Sequence, residues 1–211
     1  IDTTAPILTI PEDYTAECSA EHPLQDGTAV DNCGSVEVTV DADTTFGECA
    51  GAYKVVRTFT ATDACGNSEM ASQTISIVDT TAPDLVIPAD YTAECDANHP
   101  LEAAMATDLC GSVTISEMAD TTFSCANSYV VTRAFTATDD CGNDTTMTQT
   151  ITIQDTTAPE LMIPADYTAE CDADHPLDAA SATDNCGMVM IAESADTSYS
   201  CANGYVVTRA F

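Results

Sequence analysis

No tryptophan occurs among the 211 residues, and only four are Lys or Arg, against 35 Asp and Glu, for a formal net charge of −31. So few cationic groups exclude nucleic acid as a direct partner, because binding it takes a basic footprint that displaces counterions. An anionic membrane surface is excluded on the same ground. No run of 18 apolar residues is present, so no segment reads as a membrane-spanning helix. The N-terminal Ile1-Asp2-Thr3 does not read as a secretory signal but as the interior of a mature protein, with export encoded elsewhere. There is no Gly-rich phosphate loop, nucleophile elbow, His-x-x-x-His pair or singular carboxylate dyad, and the chain reads as non-enzymatic.

Strong charge with 6% aromatic residues is also the composition of disordered chains. Here 45% of residues are hydrophobic, set in a regular pattern broken by turns, which argues for folded domains. So much like charge in a compact body calls for salt, divalent cations or wide spacing along a fibre. Eleven cysteines at regular spacing point to an oxidising, extracellular or cell-surface location.

The chain repeats itself. Asp-Thr-Thr-Ala-Pro occurs at 2–6, 79–83 and 155–159, and Tyr-Thr-Ala-Glu-Cys at 14–18, 91–95 and 167–171. His-Pro-Leu follows at His22, His99 and His175, and Asp-x-Cys-Gly at 31–34, 108–111 and 184–187. Thr-Ala-Thr-Asp-x-Cys-Gly-Asn closes the set at 60–67 and 136–143. The expected domains are therefore 1–78, 79–154 and 155–211, the last lacking the stretch that matches 136–153. Its completion is expected from polypeptide beyond Phe211 or from a strand donated by another subunit. Donation by the N-terminus of this chain is disfavoured, since one residue precedes the first linker. Cys186 is expected to lack a partner.

Each repeat alternates apolar and polar residues with period two, as at Leu8 and Ile10, at Val36, Val38 and Val40, and at Ile75 and Ile77. About seven short strands in fewer than 80 residues indicate an all-β chain of tandem immunoglobulin-like sandwiches, stapled by disulfides.

The linker and the Ala-Thr-Asp-x-Cys-Gly-Asn turn resemble hyalin-type (HYR-like) immunoglobulin-fold repeats, whose cysteine-bearing versions occur in surface adhesins and gliding-associated proteins of Bacteroidota-like bacteria. The resemblance covers the whole chain, and implies a stalk or spacer module, in some cases an adhesive one.

Four cysteines per repeat allow three pairings. In a sandwich, Cys33 and Cys65 fall at one end and Cys18 and Cys49 at the other. This predicts Cys18–Cys49, Cys33–Cys65, Cys95–Cys125, Cys110–Cys141 and Cys171–Cys201, each full-repeat loop contributing about 3.7 kcal/mol in the chain-entropy treatment. Zinc is the rival reading, disfavoured because no Cys-x-x-Cys occurs. A Cys–His catalytic pair is disfavoured because every repeat carries both residues. The histidines, each before Pro, read as turn contacts, with metal ligation as the alternative.

Period two places Arg57, Arg133 and Arg209 on the apolar face of their strand, where a charge needs a partner. The equally regular Glu17, Glu94 and Glu170 are the expected ion-pair acids. No cofactor is required by this reading, and calcium is the rival use of the linker acids, on Glu17, Asp79, Asp108 and Asp139 and again on Glu94, Asp155 and Asp184. The alternative for these acids is Asx turns and solubilising charge. Short Asp-Thr-x sites at Thr3, Thr44, Thr80, Thr121, Thr145 and Thr156 match the O-glycosylation pattern that the family resemblance suggests, and Asn143 opens a sequon for N-glycosylation.

Two functions compete. The first is a structural repeat of a surface fibre, filament or adhesin stalk, self-associating or continuing in a longer repeat chain. The second is an adhesive module for glycans or partner surfaces, which would make one repeat depart from its siblings. Loop lengths agree to within a residue between copies, which favours the strut.

Overall fold

The computed structural model describes residues 1–125, 127–170, 172–201 and 204–211, without the side chains of Cys125 and Cys201. All regular structure among the described residues is β-strand, and the fold is the expected all-β series of immunoglobulin-like repeats.

In the first repeat the strands are β1 (Ile7–Thr9), β2 (Tyr14–Glu17), β3 (Thr28–Val30), β4 (Val36–Phe46), β5 (Tyr53–Asp63) and β6 (Ser68–Val78). They form a small layer, β1-β3, and a large one in the order β2-β6-β5-β4. This is six strands rather than about seven. β5 and β6 are antiparallel, pairing Arg57 with Gln73 and Tyr53 with Ile77. β2 instead runs parallel to the end of β6, pairing Glu17 with Val78. Alternation sends Phe59, Ala61, Ile75 and Ile77 inward, where each is at most 2% exposed. β1 packs on β5 and β6. Each fully buried Phe or Ile contributes about 1.5–3 kcal/mol, which makes this a modest core.

The second repeat has the same plan, with β7 (Asp84–Val86), β8 (Tyr91–Glu94), β9 (Met105–Thr107), β10 (Val113–Cys125), β11 (Ser128–Asp139) and β12 (Asp144–Gln154). β7 pairs with β9, and the larger sheet is ordered β8-β12-β11-β10. Leu85, Phe135 and Ala137 are its buried centre, flanked by Ile87, Ala104, Ala106 and Val113. The third repeat shows β13 (Glu160–Met162) on β14 (Ser181–Thr183), and β15 (Ser194–Cys201) on β16 (Gly204–Ala210). Val206 and Val207 on β16 are 58% and 40% exposed.

The chain forms two compact units. One comprises Ile1–Pro88, Glu102–Met118 and Arg133–Gln149, and the other Ala89–Leu101, Ala119–Thr132 and Thr150–Phe211. The first linker and the residues on both sides of it lie in the first unit.

Candidate functional site

The Asp-x-Cys-Gly-Asn turn joins β5 to β6 and β11 to β12, and its residue types follow from its bonds. The Asp63 carboxylate accepts from the amides of Cys65 (2.9 Å) and Asn67 (2.8 Å) through Oδ1 and from Asn67 Nδ2 (2.8 Å) through Oδ2. Asp139 repeats this with Cys141 and Asn143, at 2.8, 2.9 and 2.8 Å. Gly66 and Gly142 hold φ at +91° and +90°, a conformation that L side chains rarely adopt. Asn67 and Asn143 also donate from Nδ2 to the carbonyls of Asp2 and Asp79, fastening the turn to the linker that opens the repeat. The Asn67 side chain, followed by the Asn67 and Cys65 amides, outweighs burial and holds Asp63 below the usual carboxylate range. At Asp139 burial works to raise the pKa, and the bonds from Asn143, Cys141 and Gly142 overcome it.

This turn presents Cys141 at the top of the second repeat, and the β9–β10 loop presents Cys110 beside it. At the bottom of the first repeat, Cys18 follows β2 and donates its amide to Val78 (2.8 Å). Cys49 lies in the β4–β5 loop at the same end. Five linker residues separate the two ends, and the cysteines pair across them. Cys18 is bonded to Cys110 and Cys49 to Cys141, with Cα separations of 5.8 and 5.0 Å. In the second unit Cys95 is bonded to Cys186 in the same way.

The predicted pairing within repeats is therefore corrected. Cys18 does not take Cys49, Cys95 does not take Cys125, and Cys110 does not take Cys141. Cys33 and Cys65 are both free and exposed rather than joined. Cys186, expected to lack a partner, has one in Cys95. The expected Cys171–Cys201 bond lies outside the described residues. The physical reason is the short linker, which sets the bottom of one repeat against the top of the next and offers each cysteine a partner across the gap. Gly51 shows how close the approach is: a Cβ there would lie 2.9 Å from the Cβ atoms of both Cys110 and Asp79.

Glu17, at the end of β2, accepts from the amide of Thr80 (3.1 Å) and from its hydroxyl. Glu94 holds Thr156 in the same manner. The Thr80 bonds keep Glu17 below its usual pKa. These glutamates are linker clamps, and the expected ion pairs of Glu17 with Arg57, Glu94 with Arg133 and Glu170 with Arg209 are corrected. Arg133 is 3% exposed and grips Glu117 with Nε (2.7 Å) and Nη2 (3.1 Å), Gln149 with Nη1 (2.8 Å) and the Glu102 carbonyl with Nη2 (3.0 Å). Arg209 takes Glu193 at 2.5 Å and the Asp178 carbonyl at 2.8 Å. Arg57 has Val40 in the place of that acid and bonds Gln73 (3.0 Å) and the Gln25 carbonyl (2.8 Å). Each guanidinium lies over the ring two residues further along the chain, Phe59, Phe135 or Phe211, at 4.7–4.8 Å. The acid sits on the neighbouring strand and is absent from one copy, so a search for an equally regular acid misses it. A visible signal was Gln73 and Gln149, each 16 residues after its arginine.

Asp79, Asp108 and Asp139 each place one carboxylate oxygen within 4.8 Å of the others, and Asp2, Asp31 and Asp63 do the same. Burial, helped by the charges of Asp108, Asp139 and Glu17, raises the pKa of Asp79 against the Thr81 amide bond that lowers it. Asp31 has a buried Oδ2 without a hydrogen-bond partner, as has Asp155 at Oδ1. Asp184 accepts from the Cys186 amide (2.8 Å), while Glu94 and Asp155 group with the Cys186 sulfur. No histidine belongs to any such group among the described residues, and His175 packs edge-on to Tyr205.

The glycan acceptors divide by what holds them. Asn143 Nδ2, the atom a glycan would use, donates to Asp139 inside the turn and to the Asp79 carbonyl of the linker. The hydroxyls of Thr80, Thr145 and Thr156 bond Glu17, the Pro83 carbonyl and Glu94. Thr3, Thr44 and Thr121 are exposed.

No family model matches the chain, and no curated protein does. Among solved structures, Drosophila N-cadherin EC1-4 is 14% identical over 94% of this chain and 64% of that one, with a TM-score of 0.33. Protocadherin gamma B2 extracellular cadherin domains 3–6 give 16%, 96%, 64% and 0.34. Human CDH23 EC21-23 gives 14%, 94%, 89% and 0.35. The chain spans less than two thirds of the length of the first two.

Proposed function

We propose that the chain is a non-enzymatic structural repeat of an extracellular fibre or adhesin stalk. The observation that carries this reading is the disulfide across each junction, which couples one repeat to the next instead of stapling each repeat to itself. Such bonds form and persist in oxidising compartments. A covalently clamped junction resists bending between repeats, which a strut needs and an isolated binding domain does not. The motif resemblance to hyalin-type repeats supports the same reading, with domains at 1–78, 79–154 and 155–211. Electron microscopy of native material tests it: thin, unbranched rods of regular repeat are expected, and compact particles that stay compact at all ionic strengths would overturn it.

Calcium fits the junction. Asp79, Asp108 and Asp139 would hold it at the first linker, and Asp2, Asp31 and Asp63 at the equivalent place in the first repeat. Hard carboxylate oxygens suit this ion, and a divalent cation would relieve the repulsion among three acids packed so closely. Glu17 and Glu94 act beside these clusters as clamps on Thr80 and Thr156. Small-angle scattering with and without chelator is the test, with added flexibility on chelation as the expected result. An unchanged profile together with no heat of calcium binding would leave these acids as turn-formers alone. Thr3, Thr44 and Thr121 remain the proposed sites of O-linked glycans.

A further inference from the structure

We infer that the open edge of β4 takes up an extended cationic peptide as an added strand, with basic residues on one face and apolar residues on the other. This goes beyond the strut reading, since it gives the first repeat a binding surface.

β4 is an end strand of the order β2-β6-β5-β4, and among the described residues no strand pairs with its far side. All 11 of its residues pair with β5 in one unbroken register, from Val36 with Asp63 to Phe46 with Tyr53. In such a ladder alternate residues turn their amide and carbonyl away from the partner strand, so the edge offers a row of open hydrogen-bonding groups. The usual guards of an edge are missing here, since 36–46 contains no proline, no lysine and no bulge. From Thr39 to Phe46 every residue is exposed.

The two faces of the strand differ in chemistry. Alternation puts Glu37, Asp41 and Asp43 on one face and Val38, Val40 and Phe46 on the other. The three acids are exposed, and β5 sets Thr62, Thr58 and Val56 opposite them, so no cation neutralises them across the strand pair. On the other face Val40 lies opposite the inward Phe59 and continues the core beside it, yet Val40 is 40% and Phe46 80% exposed.

Charge chooses the occupant. A second copy would bring a net charge of −31 and the same acids to the same edge, whereas a segment rich in Lys or Arg meets them with opposite sign. Apolar residues at its alternate positions would cover Val40 and Phe46, as strand addition requires. The first repeat stands apart in this respect. The places of Glu37, Asp41 and Asp43 are held by Thr114, Met118 and Asp120 in the second repeat, and by Met190, Ser194 and Asp196 in the third.

The test uses the whole oxidised chain in low-salt buffer with, as probe, a capped peptide of alternating Lys and Val as long as β4. Calorimetry should show binding that weakens as salt is added, and hydrogen exchange should slow at the amides of 37–46. The Glu37→Gln/Asp41→Asn/Asp43→Asn variant should bind about tenfold more weakly, with its melting temperature as the check that it folds. The same peptide N-methylated along its backbone keeps the charge but loses its donors, and should not bind. Equal binding of that peptide, or of an all-Lys peptide, would reduce the contact to bare charge attraction and overturn the inference. No binding at low salt, protection that maps to β10 or β15 instead, or self-association of the chain through β4 would each do the same. The rod shape expected of native material is indifferent to these outcomes, so the strut reading is judged separately.

Discussion

Cys18 and Cys110 are bonded although 92 positions apart, the first residue at the bottom of one repeat and the second at the top of the next. β2 and β6 run parallel toward the linker, so Cys18 leaves the sheet beside Val78, the residue from which the linker departs. The next repeat begins five residues later, and its Asp-x-Cys-Gly loop meets Cys18 directly. A second bond, Cys49–Cys141, lies at the same junction.

Peptide mapping under oxidising conditions should yield Cys18–Cys110, Cys49–Cys141 and Cys95–Cys186 linkages. An isolated loop of this length contributes about 4.6 kcal/mol in the chain-entropy treatment. The Cys49→Ser/Cys141→Ser variant should lose less than that, because Cys18–Cys110 already closes an overlapping loop. Thermal unfolding of the single-bond and double-bond variants measures the difference, and a loss above the isolated-loop value would contradict the overlap.

Gly51→Ala should destabilise the first junction by about 1–3 kcal/mol, the usual cost of overpacking. The added methyl meets the Cβ atoms of Asp79 and Cys110, which are not flexible ends that can swing away. The readout is the denaturation midpoint of the oxidised protein compared with the reduced one. The penalty should shrink when the disulfide is open and the faces can part.

At Arg133 the exposed acid and the buried amide should behave differently. Glu117→Val should cost no more than about 1 kcal/mol, since the Glu117 side chain is 42% exposed and the first repeat carries Val40 in that place. Arg133→Ala should cost about 3 kcal/mol or more, because it strips Gln149 of a buried partner and empties the space over Phe135. Chemical denaturation of both variants decides it.

Stability should vary with pH in two opposed ways. Asp63, Asp139, Glu117 and Glu193 have depressed pKa values, from the Asn67, Asn143 and Arg bonds described above. Their contributions are complete above the ordinary values, 3.8 for Asp and 4.5 for Glu, and are lost as pH falls through the folded values. Asp79 is raised, so its contribution is complete below 3.8 and is lost as pH rises through its folded value. Melting temperature in chelator should therefore rise slightly on mild acidification from neutral and then fall steeply. Asp79→Asn should remove the first, rising part and leave the fall.

Much of this fold was legible from period two and from the spacing of the turn motifs. Phe59, Ala61, Ile75 and Ile77 point inward because alternation and the single acceptable register agree. The Asp63 turn was legible because Asp, Gly and Asn each perform a local task within five residues. The ends of the sandwich that carry each cysteine were legible as well. The pairing was not, since a repeat translated onto its neighbour presents the same residue types as a repeat folded on itself. Only the linker's direction and length decide between Cys49 and Cys110 as the partner of Cys18. The acid beside Arg133 was hidden for a related reason: it belongs to an adjacent strand and is replaced by Val40 in the first copy. Asp79, Asp108 and Asp139 lie together because linker and top loops of one repeat must meet whichever way the cysteines pair, whereas Glu17, expected in the same set, accepts from Thr80.

The first junction is crossed by three covalent paths, the peptide linker and two sulfur bridges. Cutting the backbone anywhere in 79–83 would leave the two repeats attached, and so would a cut elsewhere between Cys49 and Cys110. A protease that severs an ordinary tandem array at its exposed linkers would here produce a nicked strand of undiminished length. Release of fragments would require cleavage and reduction together, so that the tether survives either attack alone.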